Sequence, residues 1–330
     1  MDKAPGLKII ILIFIIFIIS ISIYFLWYSK IEKLTTQQLN SIQNTLLQKN
    51  IELTWDKIDK SGFPYRVEKK INNINIKFQN TNITTKNLKI IYQPWDIKHI
   101  IFQIPNEIKI LNNNKNKNIT IANSNILASL IIDKFFKKRI SITSNNITFL
   151  LNKKAYDFGK SEIYFKTDDI DNLKYAILID KLSWPPVFIN NNTINKLSIN
   201  GEIIKYKNID INNYYKWFSN EGGIRIETFK ININEAEITG NAFISLDKNL
   251  DIQSSASLNS NKLNNIFILL EKNNVISTNI LKTVDFIIKA TEMSSEVLNK
   301  KANYSISIQN GYLNLMGIKL LIVPNLKNYF

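Results

Sequence analysis

From Ile51 onward, apolar and polar residues alternate in short runs such as Ile74, Ile76 and Phe78. Asn-rich breaks, among them residues 112–118 and 190–192, separate the runs. A period of two is typical of strands whose faces differ, and turn signals roughly every 8–12 residues favour antiparallel pairing. The pattern predicts a mainly β fold (β-rich α+β) built on a long, curved antiparallel sheet with one apolar face.

Six apolar residues in neighbouring runs are expected on that face. They are Ile74, Ile76, Phe78, Leu88, Ile90 and Phe102. If the face is an open groove, these side chains would hold a ligand by apolar contact, at about 25 cal/mol per Å² buried. We refer to them as the candidate groove residues.

Helical spacing replaces alternation in a few places. Residues 30–50 place Ile31, Leu34 and later apolar residues roughly on one face, which predicts a helix. A short helix is predicted over residues 213–220, before two glycines. Two amphipathic helices are predicted near the C-terminus, around 263–270 and 280–288.

The stretch from Ile9 to Ser29 contains no charged residue. As a helix it would span roughly 31 Å, close to the roughly 30 Å hydrocarbon core of a bilayer. Tyr24, Trp27 and Tyr28 lie at its end, where aromatic rings favour the headgroup level. We predict an uncleaved membrane anchor. The alternative is a cleaved signal, but the run exceeds the usual length of about 7–15 residues and no small-residue cleavage site follows it.

The orientation of this anchor is less strongly marked, because lysines occur on both sides of it. A short N-terminal tail before a long domain indicates a cytoplasmic tail. The predicted organisation is a cytoplasmic tail over 1–8, a transmembrane anchor over 9–29, a juxtamembrane helix over 30–50 and a periplasmic β-rich domain over 51–330. This describes a single-pass protein of the bacterial inner membrane.

The large net charge says little about the partners of this protein. The formal net charge is +15, which is compatible with nucleic-acid binding. However, the cations are dispersed, and the heavy use of Lys, Asn and Ile is the bias expected of AT-rich coding. We therefore expect no nucleic-acid partner, and some attraction to anionic lipid headgroups. The absence of cysteine excludes a disulfide framework.

Catalytic chemistry finds little support. His99 is the only histidine, which excludes sites that need two. The acidic cluster Asp168-Asp169-Ile170-Asp171 lacks the glycine and closing Glu of a calcium loop, so it is interpreted as a solvated turn. No phosphate-binding or nucleophile motif occurs in a fitting context. We expect no enzyme activity, cofactor or metal, although a two-carboxylate hydrolase stays open because spatial pairing is invisible in sequence.

Two short segments combine proline with aromatic residues in a way that predicts a defined backbone shape. Ser61-Gly62-Phe63-Pro64-Tyr65-Arg66 and Tyr92-Gln93-Pro94-Trp95 both predict bends at sheet corners, because proline lacks a donor for the strand ladder. With the anchor and the ending that contains Gly311 and Gly317, they resemble the domain of unknown function 2125 (DUF2125) family. That family comprises alphaproteobacterial proteins with one N-terminal membrane helix. The structural motif positions that the resemblance assigns are Ser61, Gly62, Phe63, Pro64, Tyr65, Arg66, Pro94, Gly311 and Gly317.

The chain is also, more loosely, similar to AsmA-type envelope proteins. That likeness implies a curved periplasmic sheet with an apolar groove and a part in lipid transport or envelope homeostasis. Our leading hypothesis is lipid binding or transport without catalysis, with phospholipid as the ligand. Asp at Ile76 or Ile90 would then abolish lipid retention. The alternatives are an envelope scaffold or assembly factor that binds other proteins, and a carboxylate hydrolase.

Overall fold

The computed structural model describes most of the chain. The described residues are 5–104, 107–112, 117–123, 125–133, 137–151, 154–168, 171–183, 193–209, 214–233, 236–247, 251–260, 262–272, 274, 276–297, 302–323 and 325. The predicted breaks at 113–116 and 190–192, and part of the acidic cluster at 169–170, lie outside them.

Strands dominate, which confirms the mainly β fold class. The helices are α1 (Pro5–Gln48), α2 (Tyr214–Ser219), α3 (Leu263–Lys272) and α4 (Thr278–Val297), with a 3₁₀ turn at Tyr206–Asn208. The strands are β1 (Ile51–Thr54), β2 (Lys57–Ser61), β3 (Val67–Phe78), β4 (Thr81–Gln93), β5 (Asp96–Ile104), β6 (Ile108–Asn112), β7 (Lys117–Asn123), β8 (Ile126–Ile132), β9 (Lys138–Ser144), β10 (Ile147–Leu151), β11 (Lys154–Phe158), β12 (Ser161–Thr167), β13 (Leu173–Ser183), β14 (Thr193–Ile204), β15 (Gly223–Ile233), β16 (Ala236–Leu246), β17 (Ile252–Ser260), β18 (Asn303–Gln309), β19 (Tyr312–Leu315) and β20 (Ile318–Ile322).

Helix α1 is continuous from Pro5 to Gln48. It is long and apolar enough to cross a membrane by length and composition, and its most apolar stretch is not buried in the described structure. The charge-free run and the predicted juxtamembrane helix are therefore one helix without a break. Residues in contact with the sheet recur along it at spacings of three and four, beginning at Tyr24.

The chain divides into two compact units, which are described separately. Unit 1 comprises residues 1–121 and 127–131, and unit 2 comprises residues 122–126 and 132–330. In unit 1 the long antiparallel hairpin β3–β4 is central. One edge of β3 pairs with β2 and then β1, and the far edge of β4 pairs with β5 and β6.

The core of unit 1 lies between this hairpin and α1. Its buried members are Ile31, Leu39, Val67, Ile71, Ile74, Ile90 and Tyr92. Ile71 and Ile74 are three residues apart, so a regular strand would place them on opposite faces. Asn73 lies between them with φ 51°, a left-handed conformation that Asn tolerates, and its amide donates to Asp56 Oδ2 at 2.7 Å. This local change of backbone lets both isoleucines join one core.

Unit 2 carries a continuous antiparallel run of strands. It proceeds β9–β12–β13–β14–β15–β16–β17–β18–β19–β20, and β11 pairs with both β10 and β13. The two late helices are confirmed. They pack on β16 to β19, around the fully buried Tyr304 and Val284. Burial raises the pKa of the Tyr304 phenol, whose hydroxyl donates to Glu292 Oε1 at 3.3 Å.

Helix α4 provides a matched test of this core. Ile288 is 1% exposed in the core, whereas Phe286, on the same helix, is 74% exposed. We expect Ile288→Ala to destabilise unit 2 by about 2–5 kcal/mol, because it deletes buried methylenes and leaves a cavity. Phe286→Ala should change stability by less than about 0.5 kcal/mol. Thermal unfolding of the full chain in detergent measures both. Equal shifts for the two variants would contradict this packing.

Candidate functional site

The bends around Pro64 and Pro94 contact the aromatic residues of α1 that end the charge-free run. Tyr24 OH donates to the carbonyl oxygen of Pro64, and Trp27 Nε1 donates to that of Pro94 at 3.2 Å. Tyr28 OH lies within hydrogen-bonding distance of two further carbonyl oxygens in the segment 61–66, at 3.3 and 3.2 Å. Each aromatic polar group thus finds a backbone acceptor, as buried or half-buried Tyr and Trp usually do. We refer to this assembly of Tyr24, Trp27 and Tyr28 with 61–66 and Pro94 as the collar.

Phe63 is the aromatic centre of the collar. Its ring lies 5.0 Å from the ring centroid of Tyr28, 6.0 Å from that of Phe25 and 6.3 Å from that of Tyr24. The pairs with Tyr28 and Phe25 are edge-to-face, an arrangement worth about 0.5–1.5 kcal/mol per pair beyond area burial. The segment 61–66 is therefore both a corner, as predicted, and the docking point for the helix.

Gly62 is required by the backbone of this corner. Its φ is +100°, and Arg66 N donates to its carbonyl oxygen at 2.9 Å. A Cβ at this position would lie 2.4 Å from the Arg66 carbonyl oxygen. A side chain would therefore be strained in φ and would also clash with the turn.

A buried lysine lies between α1 and β3, above the collar along the helix. Lys69 is 0% exposed, and its Nζ donates to the carbonyl oxygen of Glu32 at 2.9 Å and to Thr36 Oγ1. The Glu32 carboxylate lies 3.9 Å from Lys69 Nζ and 2.7 Å from Lys60 Nζ. Burial, with a smaller contribution from Lys60, lowers the pKa of Lys69 to about 8, while Glu32 opposes that shift. The hydrogen bond from Lys60 holds the pKa of Glu32 below its usual value.

The candidate groove residues of unit 1 contact the protein itself. Ile74 and Ile90 belong to the core beneath α1, and Ile76, Leu88 and Phe102 pack against that core. Phe78 is half-buried. The first five therefore have protein partners, so an Asp at Ile76 or Ile90 would disrupt packing of α1 and would not report on lipid alone.

Two cavities accompany this helix and sheet. The first, of about 280 Å³, is lined mainly by α1 and by Ile97; the helix residues are Ile31, Leu34, Thr35, Gln37, Gln38 and Ser41. The second, of about 440 Å³, has the charged residues Asp56, Glu107, Lys86 and Lys109 in its lining, together with Trp55 and Ile74. The first lies beside the residues that directly follow the charge-free run, and its lining contains no charged residue.

Unit 2 carries a longer apolar surface. Register pairs Ile142 with Ile163, Ile163 with Ile177, Ile177 with Ile199, and Ile199 with Phe229. The adjacent rows on the same face also contain Ser144, Ser161, Tyr175 and Gly201, and their apolar members are Ile140, Phe165, Ile179, Leu197 and Ile231. We name the ten apolar residues of these three rows the apolar face of unit 2.

One end of the apolar face packs against the helical core, and the other end does not. Phe229 and Ile231 pack against the core formed with α3 and α4. The residues on β12, β13 and β14 are half-buried and do not belong to that core, nor do the two on β9, among the residues that the structure describes. The reverse face reads Thr143, Glu162, Leu178, Ser198, Lys230 across the same strands, so it is mostly polar. The apolar surface of these strands is thus concentrated on one side of the sheet.

The residues considered for chemistry have ordinary partners. The ring nitrogen Nε2 of His99 lies 2.9 Å from Ser129 Oγ. Asp168 Oδ1 accepts from Asn172 N at 3.0 Å, and Asp171 pairs with Lys207. No group of three or more His, Cys, Asp or Glu residues suitable for a metal occurs in the part of the chain that is described.

The fold and these surfaces define a β-rich protein with one N-terminal helix long and apolar enough to cross a membrane. Residues 31–164 match the family described as "Uncharacterized protein conserved in bacteria (DUF2125)". The resemblance to DUF2125 is therefore confirmed over that range, which includes the motif 61–66 and Pro94. Gly311 and Gly317 lie beyond it, so their assignment stays a prediction, as does the AsmA likeness. No curated protein and no solved structure matches the chain.

Lys69→Met tests the buried charge between α1 and β3. The lowered pKa means that the unfolded chain holds more protons than the folded chain between pH 8 and 10.5. The unfolding free energy should therefore rise with pH across that window, by about 3 kcal/mol at most from this group. The variant should lose this rise. Denaturant titrations of the full chain in detergent, at pH 7.5 and 10.5, measure the difference, with Lys49→Met at the exposed helix end as the control for lost charge. The same pH dependence in the Lys69→Met and native chains would contradict the assignment.

Proposed function

We propose that α1 anchors this protein in the bacterial inner membrane as a single pass, with its tail in the cytoplasm and the β-rich remainder on the periplasmic side. There it would bind phospholipid, and pass it on, in support of the envelope. The observation that carries the lipid proposal is the apolar face of unit 2. Its residues on β9, β12, β13 and β14 are half-exposed without a covering helix in the described structure.

The energetics suit an acyl chain. Each methylene removed from water contributes about 0.8 kcal/mol, so about eight methylenes laid on the sheet would contribute about 6 kcal/mol before the entropy cost of ordering the chain. Charged residues are absent from the ten positions of the face, so a fatty chain would leave no charge unpaired there. The net charge of +15 would favour anionic headgroups over neutral ones.

Catalysis is not part of this proposal. A hydrolase would need paired carboxylates or a nucleophile with its base. Among the described residues, His99 contacts Ser129, Asp168 accepts a hydrogen bond from the backbone of Asn172, and Asp171 forms an ion pair with Lys207. We propose a binding protein without cofactor or metal. Nucleic acid is not proposed as a partner, since the cations are dispersed along the chain.

One observation favours a protein partner as a second candidate. Phe286 and Met293 are 74% and 69% exposed on α4 and are seven residues apart, so they lie on one side of the helix. Two large apolar side chains in such a position are typical of a surface that another protein covers. An envelope scaffold would use this outer side of α4, whereas lipid would use the apolar face of unit 2.

A pair of adjacent substitutions tests the lipid proposal. Ile177 lies on the apolar face, and Leu178 is its half-buried neighbour on the reverse face. We expect Ile177→Asp to lower the phospholipid that co-purifies with the full chain at least several-fold, because a carboxylate among apolar side chains excludes an acyl chain. Leu178→Asp should retain the native amount.

The readout is organic extraction followed by mass spectrometry, after exhaustive exchange into a lipid-free detergent. Both variants are first checked for the native circular dichroism spectrum. Equal lipid in the two variants, or none in the native chain, would contradict lipid binding on this face and would favour the scaffold.

A further inference from the structure

Two bends of the sheet lie level with the interior of the charge-free run of α1. Tyr24 and Trp27 lie five and two residues before Ser29, the last residue of that run. At about 1.5 Å per residue, Tyr24 is roughly 7.5 Å inside its end. Side chains on a helix lean toward its N-terminus. This lean places the hydroxyl of Tyr24 level with its own Cα or deeper in the charge-free run. The carbonyl oxygens of Pro64 and Pro94 are hydrogen-bonded to these two side chains.

The side chains beside those two prolines are large, aromatic and exposed. Phe63 is 52% exposed, Tyr65 is 76% exposed and Trp95 is 68% exposed. Ile97, two residues after Trp95, is 47% exposed. Exposed aromatic residues at bends are costly in water, but their amphipathic rings suit the boundary between headgroups and acyl chains. Phe63 contacts Phe25, which itself lies within the run.

We propose that these two bends insert into the membrane beside α1, so that Phe63, Tyr65 and Trp95 form an interfacial wedge in the outer half of the bilayer. The occupant of this exposed surface is the lipid interface itself, since the collar fixes the bends to residues of the apolar run. The wedge rests on the proposed membrane anchoring, but it does not depend on lipid binding by unit 2. It extends the membrane contact from one helix to a helix with two strand bends.

Insertion would also bring the cavity of about 280 Å³ on α1 close to the bilayer surface. Ile97, two residues after the wedge residue Trp95, lines that cavity together with Ile31, Leu34 and four polar residues of α1.

Site-directed spin labelling tests the wedge, because the natural chain contains no cysteine. Single variants Tyr65→Cys and Trp95→Cys of the full chain are labelled and placed in vesicles of phosphatidylethanolamine and phosphatidylglycerol. Ile16→Cys, in the middle of the run, is the reference for lipid. Leu47→Cys is the reference for water, since it is exposed and lies roughly 27 Å along the helix from Ser29. All four side chains are at least half-exposed, so the labels displace little packing.

The readout is the ratio of collision rates with oxygen and with a water-soluble nickel complex. We expect the labels at Tyr65 and Trp95 to show a ratio several-fold above that at Leu47, corresponding to a depth of roughly 5–10 Å. Ratios at both positions equal to that at Leu47, with Ile16 in lipid, would overturn the wedge and leave the anchor intact. A water-like ratio at Ile16 would overturn the anchoring proposal, and the wedge with it.

Discussion

The burial of one side of α1 against β3 and β4 is the constraint on which unit 1 depends. The contact begins with Tyr24 in the collar and continues through Ile31 to Leu39. Before Tyr24 the helix is apolar on all sides, and after it the helix buries one side against the sheet. Because the helix has no break, any tilt of its lower part would be transmitted to the sheet. Lys69 adds hydrogen bonds to an otherwise apolar contact, and a buried charge without such partners would destabilise the fold. The helix and the sheet therefore share one core, joined by hydrogen bonds at the collar and at Lys69.

In unit 2, helices cover only part of the sheet. Its helices α3 and α4 cover β16 to β19 around Tyr304, while the apolar side chains on β12, β13 and β14 are only half-buried. In a compact sandwich a second sheet would close such a face. We propose acyl chains as the partner of this face, because they suit its composition.

Local patterns predicted more of the fold than of its tertiary pairings. The amphipathic spacing of Leu263 and Ile280 predicted α3 and α4, and alternation predicted most of the strands. It could not predict that Tyr24, Trp27 and Tyr28 donate to backbone carbonyls, because acceptors 33 to 67 residues away leave no trace in a local pattern. The left-handed Asn73 was also invisible, and it moves Ile74 into the core under α1. One signal was available for Lys69, which alternates in step with Val67 and Ile71.

The central claim is that acyl chains lie on the apolar face of unit 2. Photo-crosslinking in living cells tests it most directly, with benzoylphenylalanine placed at Ile199 on that face or at Ser198 on the reverse face of the same strand. The account predicts a phospholipid adduct at Ile199, found by mass spectrometry of the purified protein, and none at Ser198. A protein adduct at Ile199, or no adduct at either position, would contradict it.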